Sequence, residues 1–147
     1  MTIRPLKPDD RTDWELLFRA YADFYGTQIS HIAEKQVFDW IFDENNDFWC
    51  DIAMDESNLA IGFVQYQLMH RSLSGSMVCY LSDLYVEPSV RGTGAGRLMI
   101  DHVIEFATQR GIPNVRWLTQ EFNYKGRCLY DSYTKKSDFI LYSLNVP

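Results

Sequence analysis

A chain of 147 residues that is 46% hydrophobic and 15% aromatic fits one compact domain with a sizeable core, which excludes a disordered or low-complexity polymer. Its formal net charge of -6 argues against a polyanion-binding protein and mildly favours a cationic small substrate. No apolar run approaches bilayer length, and Met1-Thr2-Ile3-Arg4-Pro5 lacks the apolar core of a secretory signal, so a soluble cytoplasmic protein is expected.

In chain order, residues 2–6 read as a first strand, and Pro8-Asp9-Asp10 offers a helix start with acidic residues in its first turn. Trp14, Leu17, Phe18, Tyr21 and Tyr25 follow at helical spacing, and Gly26 ends that helix. Ala33, Val37, Trp40 and Ile41 predict a second, shorter helix. Runs at 48–54, 60–69 and 77–86, joined by polar turns, predict an antiparallel meander. A glycine-rich loop comes next. Met99, Ile100, Val103, Ile104 and Ala107 then mark an amphipathic helix, closed by Gly111 with Pro113 beyond it. A strand at 115–119, a helix at 123–133 and a last strand at 139–144 complete the order β-α-α-β-β-β-α-β-α-β. The expected architecture is an α/β domain spanning 1–147, with a mixed, mostly antiparallel sheet and helices on both faces.

Cys50, Cys79 and Cys128 are far apart, with no CxxC and no zinc spacing, so they read as reduced, mostly packed thiols. His31, His70 and His102 form no ligand-like group either. No metal, nucleic acid or membrane partner is expected.

The most informative segment is Arg91-Gly92-Thr93-Gly94-Ala95-Gly96-Arg97, where a strand ends and a helix begins. A helix N-terminus leaves backbone N–H groups unpaired and carries positive partial charge, and glycines let that backbone approach a ligand closely. The result is an anion site suited to a pyrophosphate. A Walker loop would need Gly-Lys-Ser/Thr, and a dinucleotide fingerprint GxGxxG, but the glycines here are spaced GxGxG. Taken alone, the loop fits a plain tight helix entry equally well.

Arg-x-x-Gly-x-Gly after a strand, carried by Arg91, Gly94 and Gly96 with Gly92 as an extra glycine, resembles the acetyl-CoA-binding motif of the GNAT superfamily of N-acetyltransferases. The element order resembles the GNAT fold over nearly the whole chain. The resemblance implies acetyl-CoA as cosubstrate, with its pyrophosphate on the amides of Gly92, Thr93, Gly94, Ala95 and Gly96, assisted by Arg91 or Arg97. It further implies that the pantetheine arm bonds the backbone of Leu84, Tyr85 and Val86 on a splayed strand. Asn-x-x-small-x-x-Leu-Tyr, read from Asn123 through Gly126 to Leu129-Tyr130, is similar to the family's second motif. Seven residues separate Asn123 from Tyr130, which puts both on one face of a helix, with Gly126 leaving room between them. By that likeness Asn123 bonds the pantetheine and Tyr130 protonates the departing thiolate.

A neutral amine is required for attack, so a carboxylate base is sought. Asp83 is the first candidate and Glu121 the second; either also reads as an ordinary capping or surface acid. Residues 81–83 resemble the Leu-Glu-Asp of the diamine acetyltransferase-like subgroup, but Ser82 stands in the place of the Glu, a departure from a simple polyamine assignment. Tyr25 and Trp40, with Asp83, are candidates for the acceptor site, although such aromatics equally serve a core face. Lys135-Lys136-Ser137-Asp138-Phe139 replaces the family's usual Gly-Phe turn.

The leading expectation is direct acetyl transfer to a primary amine of a small molecule within a ternary complex, since no cysteine is placed for an acyl-enzyme. A protein lysine or N-terminal acetyltransferase is the second reading. A non-catalytic acyl-CoA sensor is the third. The resemblance also allows a homodimer, which the aromatic-rich C-terminal strand could support; the sequence does not decide it.

Overall fold

Three apolar runs rich in β-branched and aromatic residues form the middle of a five-stranded sheet in the computed structural model, which describes residues 1–147. The strands are β1 (Thr2–Pro5), β2 (Phe48–Met54), β3 (Ala60–Arg71), β4 (Ser76–Val86) and β5 (Val115–Trp117), and they lie in the order β1-β2-β3-β4-β5. The first three pairings are antiparallel; β4 and β5 are parallel. Tight turns join two of the antiparallel pairs, β2–β3 and β3–β4. The Asp55 carboxylate, for example, accepts N–H bonds from Ser57 and Leu59 at 2.8 and 2.9 Å. Parallel pairing needs a crossover, which α3 (Ala95–Gln109) provides.

Each face of the sheet carries its own core. On one side Trp14, Leu17 and Phe18 of α1 (Arg11–Phe24) pack on Cys50, Ile52, Phe63 and Tyr85. On the other, Met99, Ile100, Val103 and Ala107 of α3 cover Ala53, Val64, Cys79 and Leu81. The α2 helix (His31–Phe42) is held to α1 by a bidentate pair in which Arg19 donates to Glu34, a carboxylate only 2% exposed. The short α4 (Tyr124–Asp131) follows β5. Gly62 marks the closest approach of β3 and β4, because a Cβ there would lie 2.4 Å from the Tyr85 carbonyl oxygen. No helix is long and apolar enough to cross a membrane.

The expected elements are present with one exception. The first helix opens as a 3-10 turn at Pro8–Asp10, β5 ends two residues early, and α4 stops at Asp131. The exception is the last strand, expected over 139–144, which does not form: residues 132–147 hold no helix or strand beyond a turn at α4. A strand exists only when its backbone finds a partner, and strand propensity does not supply one.

Candidate active site

A strand pair that parts creates the site. Pairing of β4 with β5 ends at Leu81↔Trp117, while β4 stays bonded to β3 as far as Val86. One edge of β4 therefore runs on without a strand beside it, along Leu84, Tyr85 and Val86. Opposite, the β3–β4 register steps from Tyr66↔Leu81 to Gln65↔Asp83, so Ser82 is the extra residue of a β-bulge. Its hydroxyl donates to the Gln65 carbonyl at 3.1 Å. A bulge reverses which residues face which side. Leu81 points into the α3 core, and past the bulge Leu84 takes that side while Tyr85 packs with the α1 core.

Just beyond this edge lies the glycine loop. Gly92 and Gly94 hold φ of 80° and 93°, the left-handed region that side chains disfavour. No atom lies near where their Cβ atoms would be, so conformation alone requires glycine. The Leu98 N–H donates to the Gly94 carbonyl at 3.0 Å as the first bond of α3, and the amides preceding it stay open at the positive end of the helix. Gly96 has a different job: its Cβ would lie 3.3 Å from Leu129, so it lets α4 pack close to α3.

The two arginines of the loop are engaged within the protein. Arg91 Nε donates to the Val86 carbonyl at 2.9 Å, and its guanidinium stands 5.3 Å from the centre of the Phe24 ring and 5.6 Å from that of Tyr85. Arg97 donates to Ser132 Oγ at 2.8 Å and lies 5.0 Å from the Tyr133 ring centre. Thr93 Oγ1 donates to the Val90 carbonyl at 2.6 Å, which fixes the loop.

Where β4 and β5 separate, a narrow cleft opens. Tyr21 and Tyr25 stand on one wall, Ser82 and Leu84 form the floor, and Trp117 and Tyr130 close the other wall. The Tyr21 and Tyr25 rings meet edge-on at 5.0 Å, and Trp117 meets Tyr130 likewise at 5.7 Å. Asp83 is a neighbour of Tyr21 and does not itself line the cleft. Gln65 Nε2 donates to Asp83 Oδ2 at 2.8 Å, and Trp14 Nε1 donates to Gln65 Oε1 at 2.8 Å. With its oxygen held by an indole donor, the Gln65 amide turns its NH2 toward Asp83. Burial raises the Asp83 carboxyl above its ordinary value, opposed first by the hydrogen bond from Gln65 and then by the nearby Tyr21 and Ser82 hydroxyls. Burial also pushes the Tyr130 phenol up, and neighbouring Tyr25 adds to the effect, so the hydroxyl keeps its proton through neutral pH.

The model of the acetyltransferase (GNAT) family matches residues 14–132. The chain belongs to that family. It is 31% identical over 99% of its length to a D-amino-acid N-acetyltransferase of Saccharomyces cerevisiae, covering 91% of that protein. It is 30% identical over 87% of its length to the thialysine N-epsilon-acetyltransferase of Mus musculus, covering 79% of it. Among solved structures, a probable acetyltransferase superposes with a TM-score of 0.85 at 22% identity, covering 100% of this chain and 99% of the other. An aminoglycoside N-acetyltransferase solved in complex with CoA superposes at 0.75 with 20% identity and 99% coverage of both chains. The fold is the GNAT fold, and the protein is an acetyl-CoA-dependent acyltransferase.

Within the GNAT frame several sequence expectations change place. Asn123 is not on the helix face of Tyr130; it is the N-cap of α4. Its Oδ1 accepts the Gly126 N–H at 3.3 Å and its Nδ2 donates to Thr119 Oγ1 at 2.9 Å, so the side chain is committed to the helix start. Gly126 makes room for that cap, since a Cβ there would lie 2.5 Å from Asn123 Nδ2. Glu121 does not reach the cleft: its side chain is 83% exposed and faces Lys136 at 3.7 Å. Trp40 packs edge-on against Phe48, away from Tyr25. Conversely, Gln65 and Trp14 carry structure around Asp83 that spacing did not reveal. The available signal was an amide, Gln65, inside the otherwise apolar run Ile61–Tyr66.

Proposed function

We propose that this enzyme transfers acetyl from acetyl-CoA to a primary amine of a small amino compound, by direct attack within a ternary complex. The observation that carries the reading is that Tyr21 and Tyr130 line one narrow cleft at the point where β4 leaves β5, with the Asp83 carboxyl close to Tyr21. The open amides of the loop suit the pyrophosphate of CoA, and the free edge of β4 suits its pantetheine arm, which points the thioester into the cleft.

The amine nitrogen attacks the thioester carbonyl carbon, the C–S bond breaks, and an amide forms. The proton lost by the amine passes to Asp83 by way of the neighbouring Tyr21 hydroxyl. A raised carboxyl pKa makes Asp83 a stronger base than an ordinary aspartate. Tyr130, still protonated, gives its proton to the CoA thiolate. Ser82, in the place of a second acid, is used by the bulge, which leaves one carboxylate for the chemistry.

Three things support a small amine over a protein side chain. The cleft is narrow and walled by aromatic rings, no cationic side chain lines it, and Asp83 neighbours its Tyr21 wall. The relatives named for D-amino acids and for thialysine point the same way. The deciding assay measures CoA release with D- and L-amino acids, thialysine, diamines and a lysine peptide. Turnover is expected on an amino acid or a diamine. Turnover on the peptide alone, or on nothing despite CoA binding, would overturn the reading.

A further inference from the structure

Phe24, the last residue of α1, is 51% exposed and belongs to neither core. Its contacts lie elsewhere. The Tyr25 ring meets it edge-on at 5.2 Å, and the Arg91 guanidinium stands 5.3 Å from its centre. Tyr25 in turn meets the Tyr21 ring at 5.0 Å. A continuous row, Arg91–Phe24–Tyr25–Tyr21, therefore joins the first residue of the glycine loop to the tyrosine wall of the cleft.

Within this row Tyr25 has a fixed backbone and a lightly supported ring. Its N–H donates to the Ala22 and Tyr21 carbonyls at 3.0 and 3.3 Å, and Gly26, at a φ of 70°, turns the chain out of the helix directly after it. The aromatic neighbours of the ring are Tyr21 and Phe24. Where Phe24 sits therefore bears on where Tyr25 stands in the wall.

At the other end, Arg91 has donors to spare. Its Nε donates to the Val86 carbonyl, and its guanidinium also lies 5.6 Å from the Tyr85 ring centre. The N–H groups on its two Nη atoms bond no protein group. They stand immediately before Gly92, where the open amides of the loop suit a pyrophosphate. An anion on those amides attracts the guanidinium and holds it, while the planar face stays on the Phe24 ring.

We propose that Arg91 and Phe24 couple the two halves of the site. With the donor bound, the pyrophosphate holds Arg91, Arg91 holds Phe24, and Phe24 holds Tyr25 where it receives the amine. Phe24 does not line the cleft, so it is a positioning residue that acts through Tyr25. This coupling rests on the reading of the cleft as the amine site. It is reciprocal: the amine tightens CoA by the factor by which CoA tightens the amine. One exposed cation–ring contact sets that factor at about threefold to tenfold.

Phe24→Leu keeps an apolar side chain and removes the ring. Because Phe24 belongs to neither core, the Tm of the variant and its CoA affinity without amine should stay near those of the parent. With an amine that is turned over, its KM should rise about threefold to tenfold, the loss of the coupling, at a kcat near the parent's. Phe24→Tyr, which keeps the ring, should restore the parent KM. A second measurement needs no turnover. With a fluorine label on the Tyr25 ring, CoA should shift the fluorine resonance in the parent protein and leave it in place in Phe24→Leu. An unchanged amine KM in Phe24→Leu, no shift in the parent, or a shift that persists in Phe24→Leu would each overturn the coupling. Absence of turnover on every amine would defeat the reading of the cleft, and the fluorine signal alone would then decide the coupling.

Discussion

The donor and acceptor sides of the cleft are built from different parts of the chain. On the donor side of the proposed reaction, recognition falls to backbone: the amides from Gly92 to Gly96, and the β4 edge at Leu84–Val86. The loop's side chains are spent within the protein, with Arg91 on the Val86 carbonyl and Arg97 on Ser132. On its acceptor side, the proposed groups are side chains from several elements, namely Tyr21 and Tyr25 from α1 and just after it, Asp83 from β4 and Gln65 from β3. Backbone recognition leaves a local trace, because it needs glycines at fixed spacing. Side-chain recognition assembled across the sheet leaves almost none.

This contrast can be broken most directly at Asp83. Asp83→Asn should lower kcat by about 10²–10⁴, the usual contribution of a general base, while CoA affinity by calorimetry stays unchanged. Loss of CoA binding instead would mean that the two sides are not separable. In the parent enzyme, activity should fall as pH drops through the raised Asp83 value, at a pH above the ordinary carboxylate range.

Gly94→Val is the mirror experiment on the donor side. A β-branched residue forced to φ near 93° costs about 1–2 kcal/mol, so CoA affinity should drop by about tenfold with the amine KM little changed. An equal effect on both substrates would undo the division.

Gln65→Leu sharpens the comparison from inside the acceptor half. Removing the bond that steadies the Asp83 carboxylate should move the acid limb of the kcat/KM profile upward in pH. A purely structural role for Gln65 would lower activity evenly and leave the limb in place.

At Asn123 the outcome separates a cap from a ligand contact. Asn123→Ala should cost about 1 kcal/mol of stability, visible as a lower Tm. CoA affinity falling by more than the stability loss explains would restore Asn123 to the donor site.

The smallest effect lies on the α3 face, away from the cleft. Buried Asp51 accepts from the Tyr66 hydroxyl and from His102 Nε2 at 3.1 Å, and that bond raises the imidazole above its ordinary 6.5. A group whose folded pKa is raised adds stability that is full below about pH 6.5 and lost as pH rises through the folded value. Solvent screening keeps it under about 1 kcal/mol, since the ring is 38% exposed. Melting curves from pH 5 to 9 should show the decline, and His102→Gln should flatten it.

The amino-acid sequence by itself determined the order of the elements, the helix faces and the donor loop. These rest on periodicity, on left-handed glycines and on free helix-start amides, all set within a few residues of one another. Tyr130 was singled out by its spacing from Asn123 and its place after the glycine helix, and the fold sets it in the wall of the cleft. Only the tertiary structure decided the rest. The bulge at Ser82 arises from register between β3 and β4, and it turns Leu84 and Asp83 to the sides they occupy. Gln65 and Trp14 lie 51 positions apart and meet only because α1 crosses β3. Glu121 and Asp83 looked alike as acids until burial separated them. Residues 139–144 had the composition of a strand, yet a strand is a relation between two backbones, and no strand of the sheet pairs with them.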